Sequence, residues 1–172
     1  MGWSEADGAG PQGVGPKTGP GTASNMIQRL DHINIVVSDL QKAKDFFLQL
    51  GFRETISSRL SGERFTIVTG LPDVDAEFVG LSLPGSTTNV ELIQYSSPAG
   101  GRDPALSRPN QLGYRHMAFA VDDIAAEVDR LKAAGVEFQS GIQLWERTGK
   151  KLVYFYGPDG IILEFAEYPK TS

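Results

Sequence analysis

The chain contains no cysteine. That absence excludes disulfides, thiolate nucleophiles and thiolate metal sites, so any metal ligand must be imidazole or oxygen. No apolar run reaches the roughly 18 residues needed to cross a bilayer. The charged-then-apolar pattern of a secretory signal is also missing. No membrane partner and a cytoplasmic location are therefore expected. Positive charge is in deficit, with 16 Lys and Arg against 21 Asp and Glu and a formal net charge of -5. A nucleic-acid partner, which calls for a basic stripe, is excluded on that ground. A small anion could still find a local cationic pocket. Histidine is scarce, with two in 172 residues, so the placement of each is informative. What is present, 40% hydrophobic and 22% charged residues, suits one globular domain with a core of useful size.

Composition divides the chain. Residues 1-25 are dominated by Gly and Pro and lack apolar periodicity. Such a stretch cannot offset its ordering entropy, and is expected to be a disordered leader or an expression-derived linker. The folded domain is expected over 27-168: a first module over 27-95, a linker over 96-110 and a second module over 111-168. In the first module, Leu30-Val37 reads as a strand. Ser38-Asp39 then offers a helix N-cap, Leu40, Ala43, Phe46, Phe47 and Leu50 recur at helical spacing, and Gly51 stands where a C-cap is wanted. Strands are expected over Phe52-Ser58, Phe65-Thr69, Ala76-Leu83 and Asn89-Tyr95. In the second module, Tyr114-Val121 reads as a strand, Asp122-Asp123 as caps, and Ile124, Val128 and Leu131 as a helical stripe ending at Gly135. Strands are expected over Val136-Phe138, Gln143-Arg147, Leu152-Tyr156 and Ile161-Tyr168, with Gly157-Gly160 as a turn.

The two modules repeat one another. DHINIVVSDL (31-40) lies without a gap over RHMAFAVDDI (115-124), and VELIQY (90-95) over LEFAEY (163-168). Histidine falls on histidine and glutamate on glutamate. Each half therefore reads β-α-β-β-β, with a His on the first strand and a Glu on the last. Strand alternation puts His32 on one face with Asn34 and Val36, and His116 with Ala118 and Ala120. Glu91 and Glu164 each sit between apolar neighbours. A carboxylate in such a strand is costly to bury unless it is paired or holds a metal. Singly, each His reads as a satisfied core or edge residue and each Glu as solvent-facing. Their joint placement in a repeat favours a metal site of His32, Glu91, His116 and Glu164. Imidazole and carboxylate together suit divalent first-row metals, and an incomplete protein ligand set leaves room for substrate.

These residues carry a resemblance. DHINIVVSDLQKAKDFFLQLGF, YRHMAFAVDD and VYFYGPDGIILEFAEYP resemble the opening strand and helix, the second-module strand and the closing hairpin of the vicinal-oxygen-chelate superfamily (glyoxalase/bleomycin resistance/dioxygenase). The resemblance covers roughly 27-168. It implies an α+β fold of two tandem βαβββ modules that form a curled, cup-like mixed sheet with helices outside. It carries over His32, Glu91, His116 and Glu164 as ligands of one divalent ion, nickel, cobalt, zinc or iron. The set is similar to that of lactoylglutathione lyase, and methylmalonyl-CoA epimerase is close. The implied activity is a lyase or isomerase reaction on a small carbonyl substrate, a glutathione hemithioacetal or an acyl-CoA, through an enolate. Glu164 is the first candidate for general base and Glu91 the second. Lys150 and Lys151 are candidates to steer an anionic tail, although a solvated basic loop is the preferred reading of that segment. Trp145 and Tyr154 either line the cup or pack in the core. A homodimer is expected, and the modules could pair within one chain or across two. The alternatives are a metal-free resistance or binding protein of the same fold and a ring-cleaving dioxygenase. The dioxygenase is disfavoured because Arg147-Lys151 holds no further histidine.

Overall fold

Along the chain run β1 (His32–Val36), α1 (Leu40–Gln49), β2 (Arg53–Ser61), α2 (Glu63–Thr69), β3 (Asp75–Ser82) and β4 (Asn89–Ser97). Then come β5 (His116–Ala120), α3 (Ile124–Ala133), β6 (Gln143–Trp145), β7 (Lys150–Tyr156) and β8 (Ile162–Glu167). This computed structural model describes residues 27–170, and the leader expected over 1-25 lies outside them. The strands form two four-stranded sheets, ordered β1-β4-β3-β2 and β5-β8-β7-β6. β1 runs parallel to β4 and β5 parallel to β8, while the other pairs are antiparallel. The fold is thus α+β with mixed sheets, and the expected βαβββ order appears in the second half and, with α2 inserted between β2 and β3, in the first. The sheets remain separate, so the cup is open.

Helices α1 and α3 start for the same local reasons. Asp39 caps α1 by accepting from Lys42 N, and Asp123 caps α3 by accepting from Ala126 N, each at 3.0 Å. A second acceptor reaches each helix start from the last strand of its own module. Gln94 Oε1 takes the Leu40 N–H at 2.7 Å, and Glu167 Oε2 takes the Ile124 N–H at 2.8 Å. Ala43 and Phe47 of α1 bury against Phe52, Val79, Leu81, Val90 and Leu92. Ile124, Val128 and Leu131 of α3 bury against Val153, Phe155, Leu163 and Phe165. The helical stripes therefore cover the faces that do not carry the histidines.

The two cores are joined. Phe46, Leu50, Met117, Phe119 and Ile161 pack against both, and the Phe52 and Phe119 rings meet edge-on at 5.9 Å. Polar contacts add to the junction. Asp159 accepts from Ser38 N at 2.8 Å and from Ser38 Oγ at 2.5 Å, and Arg130 donates to Gln49 O at 2.9 Å. Asp159 presents its carboxylate from a left-handed backbone (φ 57°), a conformation that Asp tolerates better than most residues.

Two expectations of secondary structure are corrected. Residues 65-69 are helical, within α2. β2 and β3 pair directly down to Ser61 and Asp75, which leaves the intervening segment outside the ladder with no strand to join. Released from the sheet, its β-branched residues wind into a helix ended by Gly70 in the left-handed region, and none of them is buried. The strand expected over 136-138 is reduced to a single bridge from Phe138 to Phe155. Among the described residues, no helix is long and apolar enough to cross a membrane.

Candidate functional site

Register determines what meets on the open faces. In the first module, Asn34 pairs with Glu91, so His32, two residues earlier, shares its face. His32 Nε2 stands 3.4 Å from Glu91 Oε2. In the second module, Ala118 pairs with Glu164 in the equivalent way. His116 Nε2 stands 3.2 Å from Glu164 Oε2. The repeat in the sequence is therefore a repeat in space, with one imidazole–carboxylate contact per sheet. The structure brings the four candidate residues together two by two. Among the described residues, no group of three or more His, Asp or Glu side chains is gathered where one ion could be held.

Each pair fits half of a divalent-ion site by its own chemistry. Asp31 Oδ2 lies 3.0 Å from His32 Nδ1. The hydrogen bond to His32, with Arg29 nearby, holds the Asp31 carboxyl below the usual carboxylate range. An ionised Asp31 can only accept, so His32 carries its hydrogen on Nδ1. Nε2 then faces a carboxylate oxygen, a position that a second N–H or a shared cation would satisfy. An outer carboxylate that orients an imidazole in this manner is a common feature of metal sites.

The second pair lies in different surroundings. Among the described residues, Glu164 is the one charged residue that is buried, with 3% of its surface exposed. Its Oε1 accepts a hydrogen bond of 2.7 Å from Lys150 Nζ. That bond raises the Lys150 ammonium above the ordinary lysine range. Tyr154 is the cross-strand neighbour of Glu164, and its ring lies 5.1 Å from the His116 ring. Tyr154 thus lines the open face, whereas Trp145 is exposed at the sheet edge. Neither candidate lysine occupies a solvated loop: both stand on β7. Lys150 is largely buried on Glu164. Lys151, on the opposite face, pairs with Glu167 at 2.6 Å, away from the His–Glu contact. Sequence reasoning missed the Lys150–Glu164 bond and the role of Asp31. The first depends on cross-strand register, but the second was visible as an acid preceding the His.

The open faces are distinct from the clefts between modules. A cleft of about 680 Å³ lies between α1 and the loops after α3 and β7, with Lys42, Phe46, Tyr156 and Asp159 on its walls. It is on the helix side, and neither His–Glu pair lines it.

Comparison with known proteins agrees with this architecture. The sequence model described as "Glyoxalase/Bleomycin resistance protein/Dioxygenase superfamily" matches residues 29–165. The chain is similar to the Bacillus subtilis protein YwkD, at 32% identity over 83% of this chain and 98% of that protein. It is similar to an ethylmalonyl-CoA/methylmalonyl-CoA epimerase of Cereibacter sphaeroides, at 28% identity over 83% of this chain and 99% of the enzyme. The crystal structure of a glyoxalase family protein from Bacillus cereus superposes with a TM-score of 0.79 at 30% identity, covering 87% of this chain and 99% of that one.

Proposed function

Because the chain belongs to the glyoxalase/bleomycin resistance protein/dioxygenase superfamily, we propose that it is a metal-dependent isomerase or lyase acting on a small carbonyl substrate. One observation carries this reading: two equivalent imidazole–carboxylate contacts, at 3.4 and 3.2 Å, on equivalent strands of the two modules. His32, Glu91, His116 and Glu164 would hold one divalent ion, nickel, cobalt, zinc or iron by donor type. When bound, such an ion supplies Lewis-acid polarisation of a carbonyl. The chain's own carboxylates move the proton. Glu91 or Glu164 takes the hydrogen next to that carbonyl onto a carboxylate oxygen and returns it to carbon. No oxidant or second substrate is needed, and the product is an isomer or epimer. A hemithioacetal or an acyl-CoA thioester meets this description, and likeness to an acyl-CoA epimerase supports the latter. Lys150 remains a candidate for an anionic tail only if it leaves Glu164, whereas Lys151 faces away from the His–Glu contact.

The two pairs stand apart within the described chain, so a homodimer is the assembly we propose. His32 is 42% exposed, and apolar neighbours on the open faces, Val36 and Ile56, are also exposed. In a twofold pair, the first module of one copy would face the second module of the other, and two complete sites would form.

The test is the metal content of protein purified without added metal or chelator, determined by elemental analysis. About one ion per chain is expected, lost in both His116→Ala and Glu164→Ala. Hemithioacetal and acyl-CoA substrates would then be assayed. The second reading is a metal-free binding protein of this fold. Wild type that stays empty and cannot be loaded with nickel, cobalt, zinc or iron would establish it over the first.

A further inference from the structure

The two glutamates are equivalent in register but not in freedom. On the second sheet, both Glu164 oxygens are engaged: Oε1 by Lys150 at 2.7 Å, and Oε2 by His116 at 3.2 Å. Tyr154 stands directly across, and only 5% of the Glu164 side chain is exposed. On the first sheet, the residue across from Glu91 is Gly80, which has no side chain. Four residues back along that strand, where the second sheet has Lys150, the first has Ala76. Among the described residues, no lysine or arginine pairs with Glu91. Its side chain is 29% exposed, and among the described residues its one ionisable partner within 4.0 Å is the His32 imidazole, at 3.4 Å.

We propose that Lys150 is a positioning residue that pins Glu164 as a fixed one-oxygen donor, which leaves Glu91 as the carboxylate that moves protons. This rests on the metal-enzyme reading above and divides its labour. A general base must be able to release one partner and turn toward the substrate hydrogen, so it needs an unoccupied oxygen and space. Glu91 has both. Glu164 has neither while the ammonium stays in place. The same ammonium leaves the pair of carboxylates one unit less negative, which favours charge that develops on a substrate oxygen. The proton leaves a carbinol carbon for a Glu91 oxygen and is returned from it to the adjacent carbonyl carbon, the shift that a single base can complete. The hydroxyl proton moves from one substrate oxygen to the other, and the electron pairs stay on the substrate.

The experiment uses two readouts on the full chain. Metal-free protein is treated with a limiting lysine-acylating reagent, and each lysine is followed by mass spectrometry. Lys150 is expected to react far more slowly than Lys42, whose side chain is 86% exposed, and to lose that protection in Glu164→Gln. Protection should persist after loading with Co(II). Separately, Co(II) affinity is measured by titration. Lys150→Met should weaken it by roughly 10–100-fold, as is usual for outer partners of ligands, and Lys150→Arg should restore it. Glu164→Gln should weaken it far more than Glu91→Gln. Tighter Co(II) binding by Lys150→Met, exposure of Lys150 on loading, or equal losses in the two Gln variants would each overturn the division while the metal reading stood. Wild type that binds no Co(II), Ni(II) or Zn(II) overturns both.

Discussion

The first and second modules carry the same His–Glu contact on the same two strands, yet one is open and the other is closed in. Around Glu91 the neighbouring strand offers Gly80 and Ala76. Around Glu164 it offers Tyr154 and Lys150. The duplicated backbone fixes where the donors stand. The third strand of each module, which supplies neither the His nor the Glu of the pair, decides how much each carboxylate can move. The helix starts differ in the same manner. Gln94 and Glu167 make the same bond to α1 and α3, but only Glu167 carries charge and a lysine partner. A repeat can therefore preserve geometry while its halves diverge in electrostatics.

The largest expected effects test what the halves share. Phe47→Ala and Phe155→Ala each remove a fully buried ring from one core, and each should destabilise by about 3–5 kcal/mol. Because five side chains pack against both cores, each variant should unfold in one transition by circular dichroism and tryptophan fluorescence alike. Two transitions would show that the modules are separable. Next comes the contrast between half-sites. Lys150→Met leaves a buried carboxylate without its cation and should cost about 3 kcal/mol by urea denaturation, as removing one partner of a buried pair commonly does. Glu91→Gln leaves no buried charge and should shift the midpoint little. Equal losses would mean that the halves are alike after all. Asp123→Ala removes a cap from α3 and should cost about 1 kcal/mol.

The smallest effect is a pH dependence confined to one half. The Ile124 N–H, and after it Lys151, holds the Glu167 carboxyl below the ordinary glutamate value of 4.5. A group depressed in the folded state stabilises fully above that value, and its contribution fades as pH falls below it. Glu167→Gln should therefore flatten the acid limb of the stability curve below pH 4.5. Gln94→Glu should steepen it by giving the first module the same dependence. A Gln94→Glu curve that matched wild type would break the proposed equivalence of the two helix starts.

Much of this was legible in the sequence because it is local or repeated. The caps Asp39 and Asp123, the stripe Ala43–Phe47, and the parity that puts His32 with Asn34 all follow from spacing along one element. The placement of one His and one Glu on equivalent strands of each module was readable from the repeat, whereas their meeting two by two follows from the β1–β4 and β5–β8 register. The α2 segment was misread, since the β-branched run Phe65–Thr69 has strand propensity and only the β2–β3 register excludes it from the sheet. The Lys150–Glu164 bond was hidden for a related reason. It joins neighbouring strands across a turn, and no spacing rule along the chain sets that register in advance.

The parallel pairing of first and last strands has a consequence for how the molecule is made. β1 has no sheet partner until β4 exists, because Ile33 pairs with Val90. β5 likewise waits for β8, through Met117 and Leu163. During synthesis the first half can close once residue 97 has emerged, while the second stays unzipped until β8 has emerged. A chain cut short before Ile162 would lose the strand on which both β5 and β7 depend. It would keep one half-site and expose the apolar faces meant for the other, a species prone to aggregation.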